Sequence, residues 1–256
     1  MTEQGLRSAK SANSVYIRRF LNQWENGGKE EVIEPFSVLR NQFQNLHDHH
    51  DVAIDEQGLS PFSLVIDDVR EKAYQRAFFI YSPTTIIRKN KKPMRINWLD
   101  IEVPVNLRSE RRIDLIGKIP RVGFAIAEIK SRPGGEESPL YAVLEALRYV
   151  LMVKVSIRND MNMRCHNNAN AIRNYWENYD DSKYLIAGAN TSLWDAKGWR
   201  THIGKVNEIG AWIQVNCGYR VLFVEYANEF FIGQRNYRRK YVPQLIANPN
   251  KEWFEV

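Results

Sequence analysis

Charged residues inside β-strand-like sequence constrain this chain more than any other feature. The stretch IDLIGKIPRVGFAIAEIKSR, residues 113–132, contains two runs of apolar and β-branched residues separated by a Pro-Arg-Val-Gly break. Asp114, Glu128 and Lys130 stand inside these runs. Burying a charge without a partner is costly, so such groups are usually paired with one another or bound to a metal ion. The stretch is therefore either a structural ion-pair site or a metal site.

The alternation of side chains along a strand places Glu128 and Lys130 on one face, together with Phe124 and Ile126. If the two runs pair as a hairpin, Asp114 stands beside Glu128. Adjacent carboxylates repel each other unless a proton or a divalent cation lies between them. Oxygen ligands favour Mg²⁺ or Mn²⁺, and a nearby ammonium can hold a water or a phosphate oxygen. This pattern favours metal-assisted hydrolysis of a phosphodiester.

The order of the surrounding elements predicts the fold class. An amphipathic helix is expected within residues 63–81, and another within residues 139–153. Strands are expected at residues 96–106, 111–119, 123–132, 183–189 and 220–226. A helix between strands of one sheet requires a crossover connection. We therefore predict an α/β domain with a mixed central β-sheet flanked by helices.

The first sixty residues are predicted to form an N-terminal helical arm on a domain of residues 61–256. Tyr16, Phe20 and Trp24 recur at helical spacing. A second helix is expected to start near Pro35, because proline is favoured at the first helical position.

Composition predicts a soluble cytoplasmic protein. The 256 residues can bury one sizeable core, and they include only two cysteines, without a zinc-binding spacing. Cys165 and Cys217 are therefore expected to be free thiols. The most apolar helical segment, LYAVLEALRYVLMV, is interrupted by Glu145 and Arg148 and is too short to span a bilayer. No membrane partner is expected.

The net charge of +6 favours an anionic partner, and its arrangement favours nucleic acid. The segments RKNKKPMR, residues 88–95, and RNYRRK, residues 235–240, are compact basic clusters, although either could be a solvated loop or tail. Clustered cations can bind phosphates, and an interleaved ring can stack on a base. The expected backbone contacts are Lys89, Lys91, Lys92, Arg238, Arg239 and Lys240. A homodimer is also compatible with the sequence.

Asp114, followed fourteen residues later by Glu128-Ile129-Lys130, resembles the PD-(D/E)xK nuclease superfamily. The resemblance implies a restriction-endonuclease-like core in which a helix, three antiparallel strands, a helix and a strand match residues 63–189. Ile113 replaces the proline that names the motif, and Glu145 replaces the glutamine of the second helix. The resemblance covers about half of the chain.

The resemblance also implies a role for each site residue. Asp114, Glu128 and the carbonyl of Ile129 would hold Mg²⁺ or Mn²⁺, and Lys130 would orient the attacking water. Glu71 on the first helix would bind outer-sphere water or a second ion. The second helix would contribute the catalytic Glu145 and the nucleic-acid-binding Arg148 and Tyr149.

The sequence thus predicts a divalent-metal-dependent nuclease, with DNA favoured over RNA. The alternative is a catalytically silent subunit on the same fold that binds nucleic acid or serves in assembly. Another candidate, HDHHD at residues 47–51, reads as a polar surface loop, because consecutive loop residues rarely converge on one ion. His166 and His202 are isolated and are expected to be structural or at the surface.

Overall fold

A computed structural model of the chain describes residues 3–7, 11–44, 71–104, 112–130, 137–158, 183–196, 198–226, 230–235, 241–245 and 252–256. The α-helices are α1 (Glu3–Arg7), α2 (Val15–Glu25), α3 (Lys29–Gln44), α4 (Glu71–Ile80), α5 (Pro139–Arg158), α6 (Thr191–Ala196) and α7 (Ile203–Cys217). The strands are β1 (Thr84–Ile87), β2 (Met94–Pro104), β3 (Arg112–Ile119), β4 (Gly123–Lys130), β5 (Lys183–Asn190), β6 (Arg220–Tyr226), β7 (Phe230–Arg235), β8 (Tyr241–Leu245) and β9 (Glu252–Glu255).

The predicted open mixed sheet with a restriction-endonuclease-like core is wrong, because the sheet closes on itself. Seven strands form a barrel in the order β1-β2-β3-β4-β5-β6-β9. β9 completes it by pairing antiparallel with β6 and parallel with β1. β1 and β9 have four residues each, which is too short for a reliable period-two pattern. β7 and β8 form a separate two-stranded sheet.

The barrel interior is an apolar cluster to which all seven strands contribute. Aromatic rings lie at its centre, with Trp253 of β9 at 5.5 Å from Trp98 of β2 and 4.8 Å from Phe78 of α4, between ring centroids. Tyr226 packs against the same group. Helix α4 is thus anchored in the same cluster that the closing strand completes.

A second apolar cluster covers the outer face of the barrel. It joins α5 and α7 to strand residues such as Phe124 and Ile126, and it also includes residues of α1, α2 and α3. Because side chains alternate along β4, Glu128 and Lys130 share this outer, α5-facing side with Phe124 and Ile126. The side chains of Glu128 and Lys130 therefore lie beneath α5, outside the barrel.

The N-terminal helices belong to that outer layer. Helix α2 is capped by the Ser14 hydroxyl, which accepts from the Ile17 amide, and Phe20 and Trp24 are buried. Tyr16 lies on the same helix and is 56% exposed. Helix α3 begins at Lys29, so the predicted start near Pro35 is wrong. Burial of Phe36 beyond the proline outweighs the lost backbone hydrogen bond.

Among the described helices, none is long and apolar enough to cross a membrane. The predicted strands at residues 96–106, 111–119, 123–132, 183–189 and 220–226 correspond to β2 to β6. The helix predicted within residues 139–153 is present as α5 and extends to Arg158.

Candidate acidic site at the separation of β3 and β4

Asp114 and Glu128 lie where the β3–β4 ladder ends. The last backbone pair is Leu115 with Ala127, so Asp114 and Glu128 occupy the next position in register. Beyond this pair, backbone amides donate to side-chain carboxylates instead of to backbone carbonyls. The Ile129 amide donates to Asp114 Oδ2 at 2.7 Å, and the Asp114 amide donates to Glu128 Oε1 at 3.4 Å. The sequence prediction that these two carboxylates are neighbours is confirmed.

Lys130 lies beside Glu128 and pairs with two further carboxylates. Its Nζ lies 2.7 Å from Glu137 Oε2, 3.0 Å from Glu145 Oε2 and 4.0 Å from Glu128 Oε2. On the other side of β4, the Tyr226 hydroxyl donates to the Lys130 carbonyl at 3.0 Å. The lysine is thus the centre of an ionic network whose nearest acids are Glu145 on α5 and Glu137 just before that helix.

The acidic site is largely removed from solvent. Glu128 is 2% exposed, Lys130 7% and Asp114 8%. Burial raises the pKa of Glu128 well above its ordinary value, and the charges of Asp114 and Glu145 raise it further, while Lys130 and a backbone hydrogen bond oppose them. The site therefore favours either a proton on Glu128 or a cation beside it.

Helix α5 carries three predicted residues, of which Glu145 and Tyr149 lie at the site and Arg148 pairs with α1 instead. Glu145 contacts Lys130, as described above. Tyr149 is buried, and its pKa is raised by burial and by the charges of Glu128, Glu145 and Asp114. Arg148 is also buried; its Nη2 donates to Glu3 of α1, while its Nη1 has no hydrogen-bond partner among the described residues.

The remaining predicted residues are not brought to this site by any described contact. Glu71 is the first residue of α4, and its side chain lies outside the description. Arg238, Arg239 and Lys240, as well as Cys165, His166 and residues 47–51, also lie outside the described residues. Lys89, Lys91 and Lys92 are exposed between β1 and β2. Cys217 is a free thiol whose pKa is raised by burial to about 11, and burial lowers the pKa of His202.

Sequence reasoning missed Glu137, Glu3 and Glu102. Glu137 precedes Ser138, whose hydroxyl accepts from the Tyr141 amide and caps α5. The serine followed by proline marks this helix start in the sequence, and it could have placed Glu137 at the site. Glu102 is 5% exposed and lies 3.8 Å from Arg112. It is aligned with Asp114 across the β2–β3 ladder.

The residues present fit a hard divalent cation supplied with further ligands from water or substrate. Asp114 and Glu128 provide adjacent carboxylate oxygens. The Ile129 N–H points toward Asp114, and the carbonyl of the same residue lies on the same edge of the strand. Within the described residues, no group of three or more His, Cys, Asp or Glu side chains is arranged to hold an ion. Mg²⁺ commonly keeps several waters and uses one or two protein carboxylates.

Comparisons with protein-family models, with curated proteins and with solved structures found no match for this chain.

Proposed function

We propose that the chain is a divalent-metal-dependent nuclease that hydrolyses phosphodiester bonds, with DNA as the favoured substrate. One observation carries this proposal: three carboxylates, from Glu128, Glu137 and Glu145, lie within 4.0 Å of the ammonium of Lys130, and Asp114 lies beside Glu128 in the same mostly buried site. Carboxylates in excess over cations at a buried position attract a divalent ion, which lowers their mutual repulsion. The pattern of these residues also resembles the PD-(D/E)xK motif.

Asp114, Glu128 and the carbonyl of Ile129 would hold Mg²⁺ or Mn²⁺. Such an ion, when bound, polarises the scissile phosphate and lowers the pKa of a coordinated water. Asp114 is fixed for this role because the Ile129 amide already donates to its Oδ2. The hydrogen bond orients the carboxylate.

Lys130 would position the nucleophile and stabilise negative charge on the phosphate. Its alternation with Glu128 on β4 places both side chains on the same face. Glu145 and Glu137 lie 3.0 and 2.7 Å from the ammonium and hold it in place in a buried setting. Glu145 is therefore a positioning residue that acts through Lys130.

A nuclease assay with matched variants tests the proposal. Linear, circular and single-stranded DNA and RNA are incubated with the wild-type protein in Mg²⁺, in Mn²⁺ and in EDTA. We expect cleavage that requires the divalent ion and that falls by about a hundredfold or more in Asp114→Asn and Lys130→Ala. Asp195→Asn, which changes an exposed acid on α6, is the control and should cleave normally. Full activity in both site variants would eliminate the assignment.

The contacts around Lys130 also favour a second candidate, a non-cleaving subunit that binds nucleic acid or serves in assembly. Glu137 and Glu145 pair with Lys130, and the Ile129 amide satisfies Asp114 Oδ2, so the network has protein partners of its own. A purely structural network would yield no cleavage of any substrate with either ion. The same assay therefore separates the two functions.

A further inference from the structure

A groove opens between two β-turns at the end of β3 that is farthest from the acidic site. Its volume is about 640 Å³, within the range of sites that hold ligands as large as a nucleotide. The groove is lined by the cations Arg88, Lys92 and Arg95 and by further residues that include Met94 and Ile119. Three cations therefore border a surface whose other members are mostly apolar.

The register of the strands brings the two turns together. Ile86 pairs with Met94 across the first turn, and Ile119 pairs with Gly123 across the second. Asn97 of β2 pairs with Lys118 of β3, which places both turns at the same end of the barrel. The groove is thus held between two hairpins of one continuous sheet.

Both turns have defined backbone geometry. Asn90 and Arg121 adopt left-handed conformations, with φ angles of 54° and 60°. The Val122 amide donates to the Ile119 carbonyl at 3.0 Å and closes the second turn. These conformations fix the walls of the groove before any ligand arrives.

Positive charge is concentrated on these turns. Lys89, Lys91, Lys92 and Arg95 are exposed on the first hairpin, and Arg121 is exposed on the second. The whole chain has a net charge of only +6, so these five cations make this end of the barrel strongly positive. Exposed cations of one sign around a concave surface raise the local concentration of an anionic ligand.

Arg88 is held at the inner side of the groove by β9. Its Nε lies 3.7 Å from Glu255 Oε2, which also accepts from the Lys89 amide at 3.2 Å. The Nε atom is buried and has no hydrogen-bond partner within the described part of the chain. The carboxylate of Glu255 thus holds by its charge an arginine that lines the groove.

We propose that this groove binds the phosphodiester backbone of a single strand of nucleic acid, with Arg88, Lys92 and Arg95 at the phosphates. The apolar side chains of Met94 and Ile119 supply the surface for a sugar or base. Guanidinium planes can also stack on unpaired bases. The inference rests on the proposed nucleic-acid substrate but not on its cleavage.

The groove is separate from the acidic site. Ile119 follows Asp114 by five residues along β3, a span of about 17 Å at roughly 3.4 Å per residue. A phosphate in the groove therefore cannot be the scissile phosphate. The groove acts as a second holding point for the same strand, and it adds affinity that is independent of the metal.

Binding of a fluorescein-labelled oligothymidylate to the Asp114→Asn protein in EDTA tests this inference without cleavage. The groove variant is Lys92→Gln/Arg95→Gln in that background. The control is Arg18→Gln/Arg19→Gln, which removes the same charge from exposed positions of α2. Fluorescence anisotropy is measured over a range of salt concentrations.

We expect the groove variant to bind about fivefold more weakly per lost phosphate contact at 0.1 M salt, and its log–log salt slope to decrease by roughly 0.7 per contact. The control should retain most of its affinity and slope. Equal losses in both variants, or no loss in the groove variant, would overturn the inference. Thymidine monophosphate should not displace the oligomer, and displacement would contradict binding of a polymer. A protein that binds as expected but never cleaves would refute the proposed nuclease alone.

Discussion

The carboxyl of Glu128 determines how the acidic site behaves without a metal. It lies between Asp114 and Glu145 and is almost fully buried, so its pKa is raised mainly by burial. The sequence was sufficient to predict that Asp114, Glu128 and Lys130 belong together, because strand alternation and a hairpin determine their relation. Glu137 was missed because it lies outside the periodic pattern of strands and helices, and only the Ser138–Pro139 helix start beside it could have indicated its place.

The metal-free protein should lose stability as pH rises above the ordinary glutamate pKa of 4.5. In that range the folded state retains a proton on Glu128 that the unfolded chain releases, so the free energy of unfolding falls by up to about 1.4 kcal/mol per pH unit until the raised pKa is passed. Urea unfolding in EDTA between pH 5 and 8 measures this slope. Glu128→Gln should flatten it, while the exposed control Glu30→Gln should not. An unchanged slope in Glu128→Gln would contradict this description of the site.

At the scale of elements, pairing with neighbouring strands determines secondary structure that the local sequence pattern does not predict. β2 to β6 have enough alternating or apolar residues to be recognised, whereas β1 and β9 are four residues long and become strands by pairing with each other and with longer neighbours. Helix α1 has five residues and would be unstable alone. It is held by Leu6, which is fully buried, and by the hydroxyl of Ser138, which donates to the Leu6 carbonyl.

The short strand β9 should carry a large share of the stability because it closes the barrel. Trp253 is fully buried among the rings of Phe78, Trp98 and Tyr226, whereas the adjacent Phe254 is 38% exposed. Trp253→Ala should therefore lower the free energy of unfolding by about 3–5 kcal/mol. Phe254→Ala is the matched control and should cost much less. Similar losses in the two variants, measured by urea unfolding, would show that β9 does not close a packed barrel.

Over the whole molecule, negative and positive charge lie at opposite ends of β3. The acidic network is beneath α5 at one end, and the basic turns flank a groove at the other. The sequence indicated both the acidic group around Glu128 and the basic segment of residues 88–95. It did not indicate the distance between them, because that distance depends on strand register. Barrel closure could not be predicted from the sequence either, because it depends on pairing between residues 84–87 and 252–255, which are far apart in the chain.

The central claim is that the acidic site binds a divalent cation, and calorimetric titration with Mn²⁺ and Mg²⁺ tests it most directly. The wild-type protein, in the presence of uncleaved oligonucleotide and in its absence, is compared with the Asp114→Asn/Glu128→Gln variant and with Asp195→Asn. We predict binding of at least one ion by the wild-type protein and by Asp195→Asn, with loss of that binding in the double variant. Absence of ion binding by the wild-type protein under both conditions, or unchanged binding in the double variant, would contradict the account.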